Sequence, residues 1–204
     1  MKIKICGITN LQDALDATNA GADALGFVFY KESPRYITPQ NARKIIADLP
    51  PFIQAVGLFV NETIENINQI SRISNIDLAQ IIDDNCFDSK GDDSIYDNLE
   101  VRYVKVIRAK AKEDVLKYKE EYRLIDAFVE GFGGQGTRLE LSWFDNMDCS
   151  KITLAGGLNS DNVKELKGYN FYSVDISSGV EQKKGIKDKQ KMIDFVKAVN
   201  ELQR

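Results

Sequence analysis

The sequence contains no histidine among its 204 residues. An imidazole therefore cannot act as a general base or a zinc ligand, so acid–base chemistry must come from carboxylates, cysteine, lysine or tyrosine. Cysteine is also scarce: Cys6, Cys86 and Cys149 leave one thiol unpaired in any disulfide scheme, and none forms a Cys-x-x-Cys pair. We therefore predict reduced cysteines and a cytoplasmic protein.

Long apolar runs and basic clusters are missing as well. No run approaches the ~18 apolar residues that a membrane span requires, and the first ten residues lack the features of a secretory signal. The net charge is −4 and the pI is about 5.1. We therefore expect neither membrane nor nucleic-acid binding. With 43% hydrophobic and 28% charged residues, the chain has the composition of a globular protein, and we predict one domain over residues 1–204.

Short β-rich apolar runs alternate along the chain with amphipathic stretches of helical period. Such near-continuous apolar runs are typical of parallel strands that are buried on both faces. The candidate strands are residues 3–8, 24–29, 53–60, 76–82, 101–109, 124–129, 151–156 and 171–177. The candidate helices are residues 11–21, 39–49, 63–71, 111–122, 160–168 and 189–202. This alternation predicts an α/β fold, a single (β/α)8 TIM barrel.

The segment 83–100 fits this pattern poorly. It should hold the fourth helix, yet it is rich in acidic residues and has Gly91 in its middle. A calcium loop would need ligands at alternate positions around a central glycine, and that spacing is missing. We expect a solvated loop with one short turn of helix, that is, a degenerate fourth helix region.

Several chemically capable residues lie where predicted strands end. The carboxyl ends of the strands form the working face of such a barrel. Cys6 lies at the end of the first strand, Arg35 follows the second, and Asp126 lies on the sixth. Glycine-rich turns follow the sixth, seventh and eighth strands, at residues 131–136, 154–158 and 175–181. We therefore expect a site at this face of the barrel.

The turns after strands seven and eight favour a phosphate site. Gly156 and Gly157 allow close backbone approach, so that amide N–H groups can point at a phosphate. Ser177, Ser178 and Gly179 can add further amides and hydroxyls from the neighbouring loop. Loops at these two positions form the recurrent phosphate site of such barrels.

Each candidate side chain also has a purely structural interpretation. Cys6 is either a small buried apolar residue or, near positive charge, a reactive thiolate. Asp126 is either a cap for the following turn or a general acid. Arg35 is either a solvated residue or a ligand for a carboxylate, which its planar fork suits. Lys4 and Asp175 either orient groups at the barrel mouth or satisfy polar atoms in the core.

Seven stretches carry a resemblance that spans essentially the whole chain. They are KICGIT (4–9), GFVFYKESPRYIT (26–38), VGLFVN (56–61), GGQG (133–136), LAGGL (154–158), VDISSGVE (174–181) and GIKDKQK (185–191). In this order they resemble the phosphoribosylanthranilate isomerase family, (β/α)8-barrel enzymes of tryptophan biosynthesis.

The resemblance implies an Amadori rearrangement of N-(5-phosphoribosyl)anthranilate to 1-(2-carboxyphenylamino)-1-deoxyribulose 5-phosphate. It implies that Cys6 is the general base, that Asp126 is the general acid and that Arg35 engages the anthranilate carboxylate. It assigns the phosphate-binding loops to Gly156, Gly157, Ser177 and Ser178, and a polar position at the mouth to Asp175. The partner is then a small phosphorylated substrate, with no metal or redox cofactor. We expect a monomer or a homodimer.

The chain departs from the family pattern in three places. The family commonly has Gln-Leu-His-Gly after strand four, where this chain has the residues 80–83, Gln-Ile-Ile-Asp. Gln135 replaces the usual Thr or Ser, and of the aromatic motif that follows only Trp143 remains nearby. A shifted alignment of LIDAFVE would make Glu130 the acid instead of Asp126.

Two competing functions stay open from the sequence. One is another phosphosugar isomerase or aldolase, in which Lys105 would form the Schiff base. Lys105 falls short of its strand's end, however, and this chemistry leaves Cys6 without a role. The other is a barrel that binds a phosphosugar without turnover, and the presence of both catalytic positions argues against it.

Overall fold

The computed structural model describes residues 1–87, 93–129 and 137–202, and in this part of the chain eight parallel strands close into a barrel. The strands are β1 (Lys2–Cys6), β2 (Ala24–Val28), β3 (Gln54–Val60), β4 (Leu78–Ile82), β5 (Arg102–Ala109), β6 (Arg123–Ala127), β7 (Ile152–Leu154) and β8 (Ser173–Ile176). Each strand pairs with the next, and β8 pairs with β1 to close the ring. The predicted (β/α)8 barrel is therefore confirmed.

The strands are buried on both faces, which explains their near-continuous apolar sequences. All five residues of β2 are buried, as are the last four of β1 and of β4. One face of each strand lines the barrel interior, and the other packs against the outer layer of helices and turns. Because side chains alternate along a strand, Val106 of β5 points inward, whereas the neighbouring Lys105 points to the outer layer.

The described helices begin where side chains cap them. They are α1 (Leu11–Ala20), α2 (Pro39–Ala47), α3 (Ile64–Ser74), the short α4 (Asp84–Phe87) and α5 (Lys189–Glu201). Asn10 caps α1, because its side chain accepts a hydrogen bond from the Asp13 amide, and Gly21 ends the helix with a φ of 110°. Thr38, Thr63 and Asp188 cap α2, α3 and α5 in the same way.

The helix predicted over residues 111–122 is wrong, since only a 3-10 turn, Lys112–Leu116, forms there. The reason is the buried Arg123, whose guanidinium needs acceptors. Its Nη2 donates to the Val115 carbonyl at 2.9 Å, and its Nη1 donates to carbonyls of the same segment at 3.3 and 3.4 Å. These carbonyls face the guanidinium, and Tyr118 takes a positive φ of 52° that no helix allows.

The helix predicted over residues 160–168 is also reduced to a 3-10 turn, Val163–Leu166. Two asparagines form a reciprocal cap at the start of this turn. Asn159 Oδ1 accepts from the amides of Asp161 and Asn162, and Asn162 Oδ1 accepts from the Asn159 amide, each at 2.9 Å. The amides of Glu165 and Lys167 then bond to carbonyls three residues back, and Gly168 takes a φ of 98°, so the segment ends after one 3-10 turn.

In segment 83–100, the described residues 83–87 and 93–100 hold more structure than the predicted solvated loop with one short turn of helix. It holds α4 and a 3-10 helix, Asp93–Asn98, and it buries Phe87 and Tyr96, whose ring centroids lie 5.2 Å apart. The Tyr96 hydroxyl donates to Asp83 Oδ2 at 2.5 Å, while Asp83 Oδ1 accepts from the amide of Cys86. The prediction overlooked these aromatic anchors because acidic residues dominate the composition of the segment.

A two-stranded antiparallel hairpin follows the barrel, formed by β9 (Glu181–Lys183) and β10 (Ile186–Lys187). The 3-10 turn Ser178–Val180 connects it to β8. Thr9, in the loop after β1, donates to the Gly185 carbonyl at 2.5 Å. The hairpin therefore lies beside the loop that follows Cys6. Among the described helices, none combines the length and the apolar character that crossing a membrane would take.

Candidate active site

A cavity of about 110 Å³ opens at the carboxyl ends of the barrel strands. All eight site residues predicted from the sequence line it. They are Cys6, Arg35, Asp126, Gly156, Gly157, Asp175, Ser177 and Ser178. These residues come from five different strands or the loops that follow them, so the barrel itself brings them together.

Lys4 and Asp175, whose roles the sequence leaves open, form a buried ion pair. They face each other in register on β1 and β8, and Lys4 Nζ lies 2.9 and 2.8 Å from the two carboxylate oxygens. Burial disfavours the Lys4 ammonium, but the charges of Asp175 and of the Cys6 thiolate outweigh this and raise the pKa of Lys4. The pair thus places a fixed cation near the Cys6 thiol.

The Cys6 thiol is buried at the end of β1 and lines the cavity. Burial raises the pKa of the thiol, and the negative charge of Asp175 adds to this effect. Lys4 and Lys187 act in the opposite direction, because their positive charges favour the thiolate. In this state the group is mainly a thiol at neutral pH, with two cations close enough to stabilise the thiolate when it forms.

Asp126 lies on β6 and also lines the cavity. Burial raises the pKa of this carboxyl to about 6, and the nearby charge of Asp175 contributes. The Ala127 amide and the cations Arg108 and Lys4 limit the rise. A carboxyl with a pKa near the working pH can hold a proton and release it, which is the property of a general acid.

Arg35 lies at the cavity, but its guanidinium is already engaged. Its Nε and Nη2 donate to the two carboxylate oxygens of Glu181, at 2.7 and 2.8 Å. Both side chains are buried. The sequence did not reveal this partner, because the two residues are 146 positions apart.

The two glycine-rich loops pack closely against each other and against Asp126. Gly156 has a φ of 94°, and a Cβ there would lie 2.8 Å from Asp126 Oδ1. A Cβ on Gly179 would collide with the Leu158 carbonyl oxygen. Side chains are excluded at both positions, so the cavity is lined by backbone at Gly156.

Part of the cavity lining is apolar and suits an aromatic ring, and we call it the apolar wall. Its residues come from β2 to β7 and the loops that follow β2 and β7, namely Val28, Tyr30, Leu58, Val60, Ile82, Val106, Leu124 and Ala155. Ile82 belongs to the stretch after strand four that departs from the family pattern. Its side chain therefore adds to the apolar wall.

Three buried residues near the cavity were not predicted to belong to the site. They are Glu181, Lys187 and Gln80. Gln80 lines the cavity at 3% exposure, and its Oε1 has no hydrogen-bond partner among the described residues. The sequence offered two signals for them. Glu181 and Lys187 are charged residues in stretches that carry the resemblance, and Gln80 is an amide inside an apolar strand.

Some predicted residues lie elsewhere. Lys105, the alternative Schiff-base lysine, is not among the residues lining the cavity, and its Nζ lies 2.6 Å from Glu121 and 4.1 Å from the Tyr118 ring centroid. Glu130, the alternative acid, and the loop 131–136 with Gln135 lie outside the described residues. Within the described ranges, no three Cys, Asp or Glu side chains are grouped as they would be to hold a metal ion.

Comparisons with known proteins agree with this arrangement. A family model described as N-(5'phosphoribosyl)anthranilate (PRA) isomerase matches residues 3–198. The N-(5'-phosphoribosyl)anthranilate isomerase of Sulfurovum sp. (strain NBC37-1) is 55% identical over 202 residues, which are 99% of this chain and 100% of the relative.

Two solved structures are similar over nearly their whole length. One is a phosphoribosyl anthranilate isomerase in complex with reduced 1-(o-carboxyphenylamino)-1-deoxyribulose 5-phosphate, with a TM-score of 0.81, 35% identity, and 98% of this chain and 99% of that chain covered. The other is of generated monomers of the dimeric enzyme from Thermotoga maritima, with a TM-score of 0.82, 32% identity and the same coverage.

Proposed function

The chain belongs to the N-(5'-phosphoribosyl)anthranilate isomerase family and is an enzyme of tryptophan biosynthesis, and on this premise we propose that Asp126 and Cys6 are the acid and the base of its isomerisation. The observation that supports this assignment is that both side chains line the same cavity that the phosphate loops also border. The reaction converts an N-linked aminoaldose into an aminoketose.

Asp126 begins the reaction by opening the sugar ring. It gives its proton to the ring oxygen, the bond between C1′ and that oxygen breaks, and the nitrogen lone pair forms a protonated Schiff base. A carboxyl with a pKa of about 6 is suited to this transfer near neutral pH. Its proton is retained by burial and by the charge of Asp175, which both disfavour the carboxylate.

Cys6 then removes the proton at C2′. The positively charged Schiff base draws electrons from the C2′–H bond, whose electron pair forms the C1′–C2′ double bond of an enolamine. The sulfur takes the proton, and the enolamine tautomerises to the ketose. Lys4, held by Asp175, and Lys187 favour the thiolate that this step needs.

Binding at both ends fixes the sugar between the two catalytic groups. We assign the phosphate to the loops that carry Gly156, Gly157, Ser177 and Ser178, the carboxylate to Arg35, and the ring to the apolar wall. Such orientation supplies much of the rate of a reaction that needs no external reactant. Asp175 acts by holding Lys4 at the mouth.

We further propose that residues 1–204 form one catalytic domain that works in the cytoplasm on this small substrate, as a monomer or a homodimer. The three buried cysteines are unpaired, as expected in a reducing compartment. Phe52 is 97% exposed, so in the homodimer alternative we assign its ring to the contact between the two copies.

The test is turnover of fresh phosphoribosylanthranilate, followed by the loss of its anthranilate fluorescence, with the ketose product confirmed by chromatography. We expect Cys6→Ser and Asp126→Asn to bind the reduced product and to lose turnover by a factor of at least about 10². Cys149→Ser, also buried, and the exposed Asp194→Asn are the matched controls and should retain turnover.

Three results would contradict the assignment in different ways. Parental rates in both catalytic variants would place the chemistry on other residues. Activity in Asp126→Asn together with its loss in Glu130→Gln would make Glu130 the acid. Binding of the reduced product by the parent without turnover would favour the non-catalytic phosphosugar-binding barrel.

A further inference from the structure

The buried cluster of Arg35, Glu181 and Lys187 joins the two ends of the proposed substrate site. Glu181 accepts two hydrogen bonds from Arg35, and its Oε1 also lies 3.1 Å from Lys187 Nζ. The side chains of the three residues are exposed by only 7%, 5% and 0%. One carboxylate therefore serves two buried cations.

The geometry of the Arg35–Glu181 pair determines which edge of the guanidinium is left for a ligand. Glu181 takes the side edge, formed by Nε and Nη2. A guanidinium has five N–H groups, so one on Nη2 and two on Nη1 remain. One N–H of Nη2 and one of Nη1 form the end edge, which can bind a second carboxylate through two parallel hydrogen bonds.

The cluster carries one more positive charge than negative. A buried net charge is costly unless an opposite charge compensates it. Burial lowers the pKa of Lys187, although Glu181 opposes this effect, and the two cations hold the pKa of Glu181 below its usual value despite burial. An anionic substrate group at the cavity would complete the charge balance of the cluster.

Lys187 connects the cluster to the phosphate side. Its Nζ lies 3.2 Å from the carbonyl oxygen of Ser177 and 3.5 Å from the Ser177 hydroxyl. The backbone at Gly7 lies between the two ends, since a Cβ there would meet Arg35 Cδ at 2.5 Å and Ser177 Oγ at 3.2 Å. Gly7, which directly follows Cys6, therefore lies close to both ends of the site.

Resting on the proposed function, we propose that Glu181 and Lys187 are positioning residues that make Arg35 selective for the substrate's carboxylate. Glu181 holds the guanidinium so that its end edge faces the cavity. Lys187 neutralises Glu181, so that Arg35 keeps its positive charge for the ligand. The effect of both residues on carboxylate recognition passes through Arg35.

The experiment compares two ligands that differ in one group. One is the reduced product, and the other is its phenylamino counterpart, which has the same phosphate but no carboxylate. The ratio of their dissociation constants, measured by calorimetry, gives the carboxylate preference. Because both ligands contain the phosphate, a general loss of binding or of folded protein cancels in this ratio.

The decisive variant is the double substitution Glu181→Gln and Lys187→Met, because it leaves the net charge of the cluster unchanged. We expect it to lower the carboxylate preference about tenfold, the loss typical of a misaligned hydrogen bond to a charged group. In an Arg35→Met background, the same double substitution should leave the preference unchanged. A structural role alone would weaken binding of both ligands equally.

Glu181→Asp provides a second test if the double variant does not fold. It keeps the charge beside Arg35 but is one methylene shorter, so the guanidinium is held in a different place and the preference should again fall about tenfold. A preference within twofold of the parent in either of these variants would overturn the inference alone. A parent that neither turns over the substrate nor binds either ligand would instead overturn the proposed function.

Discussion

Cys6 lies in register with Gly26 on the neighbouring strand, and a Cβ on Gly26 would lie 2.6 Å from the Cys6 sulfur. The same Cβ would lie 3.0 Å from Cys6 Cα and 3.0 Å from Lys4 Nζ. The space that holds the thiol and its nearest cation therefore exists because residue 26 has no side chain.

We expect Gly26→Ala to impair both stability and turnover. The added methyl group must displace the thiol or the ammonium, and such overpacking costs about 1–3 kcal/mol of unfolding free energy. Chemical denaturation and steady-state kinetics would measure the two effects. Combining Gly26→Ala with Cys6→Ala should recover part of the stability, because it removes the nearest atom. Full stability and turnover in Gly26→Ala would show that the thiol has room to move.

We expect Asp126→Asn to stabilise the folded protein at pH 8. The pKa of Asp126 is raised from 3.8 to about 6, so the folded state holds a proton that the unfolded state has released between these values. The stability that this proton contributes is fully present below pH 3.8 and is lost as the pH rises through 6. Asparagine has no ionised form to disfavour, so the variant should be more stable by roughly 3 kcal/mol at pH 8.

The check on Asp126→Asn is denaturation at two pH values. The difference from the parent should shrink towards zero at pH 4, where the parental carboxyl is protonated in the folded state. The exposed Asp194→Asn is the control and should show little difference at either pH. A gain that does not depend on pH would contradict the raised pKa as its cause.

We expect Gln80→Leu to raise the free energy of unfolding by about 1 kcal/mol, because a buried polar atom without a partner is costly. Leucine fits the apolar character of the residues around the cavity. Thermal unfolding would measure the change, and Gln190→Leu, an exposed substitution on α5, should change stability by less than about 0.5 kcal/mol. Destabilisation by Gln80→Leu would mean that its amide is satisfied in the folded protein.

We expect Phe52→Glu to convert a homodimer into a monomer in sedimentation velocity experiments. The ring is exposed next to Pro50 and Pro51, and a charge at the centre of an interface opposes association. Ile193→Glu, which adds the same charge at a partly exposed position on α5, should leave the sedimentation coefficient unchanged. A parent that already sediments as a monomer would exclude this role for Phe52.

The barrel could be predicted because its strands are buried on both faces, which leaves a clear apolar signal in sequences such as that of β2. The cavity-lining residues could be located because each lies at a strand end, where this fold places its working face. The two helices predicted over residues 111–122 and 160–168 had the amphipathic pattern of a helix but did not form at full length. The outcome of the first was decided by the acceptors that Arg123 takes, and the second was shortened to one turn between its asparagine cap and Gly168.

The partners within the site were harder to predict, because they depend on contacts between distant parts of the chain. Arg35 gave no sign in its own segment that Glu181 would occupy one edge of its guanidinium. Lys187 is an ordinary basic residue in a charged stretch until the hairpin folds back on Ser177. Local sequence identifies which groups can do chemistry, whereas their pairing follows from the closed fold.

The ion pair between Lys4 and Asp175 spans 171 positions and lies across the junction of β1 and β8. A growing chain that has not yet released its eighth strand from the ribosome has Cys6 and Asp126 but lacks Asp175, Ser177 and the hairpin. Lys4 is then not yet held by Asp175, and the loop that follows β8 is not yet beside the thiol. The complete cavity therefore forms only late in synthesis, when the first and eighth strands meet.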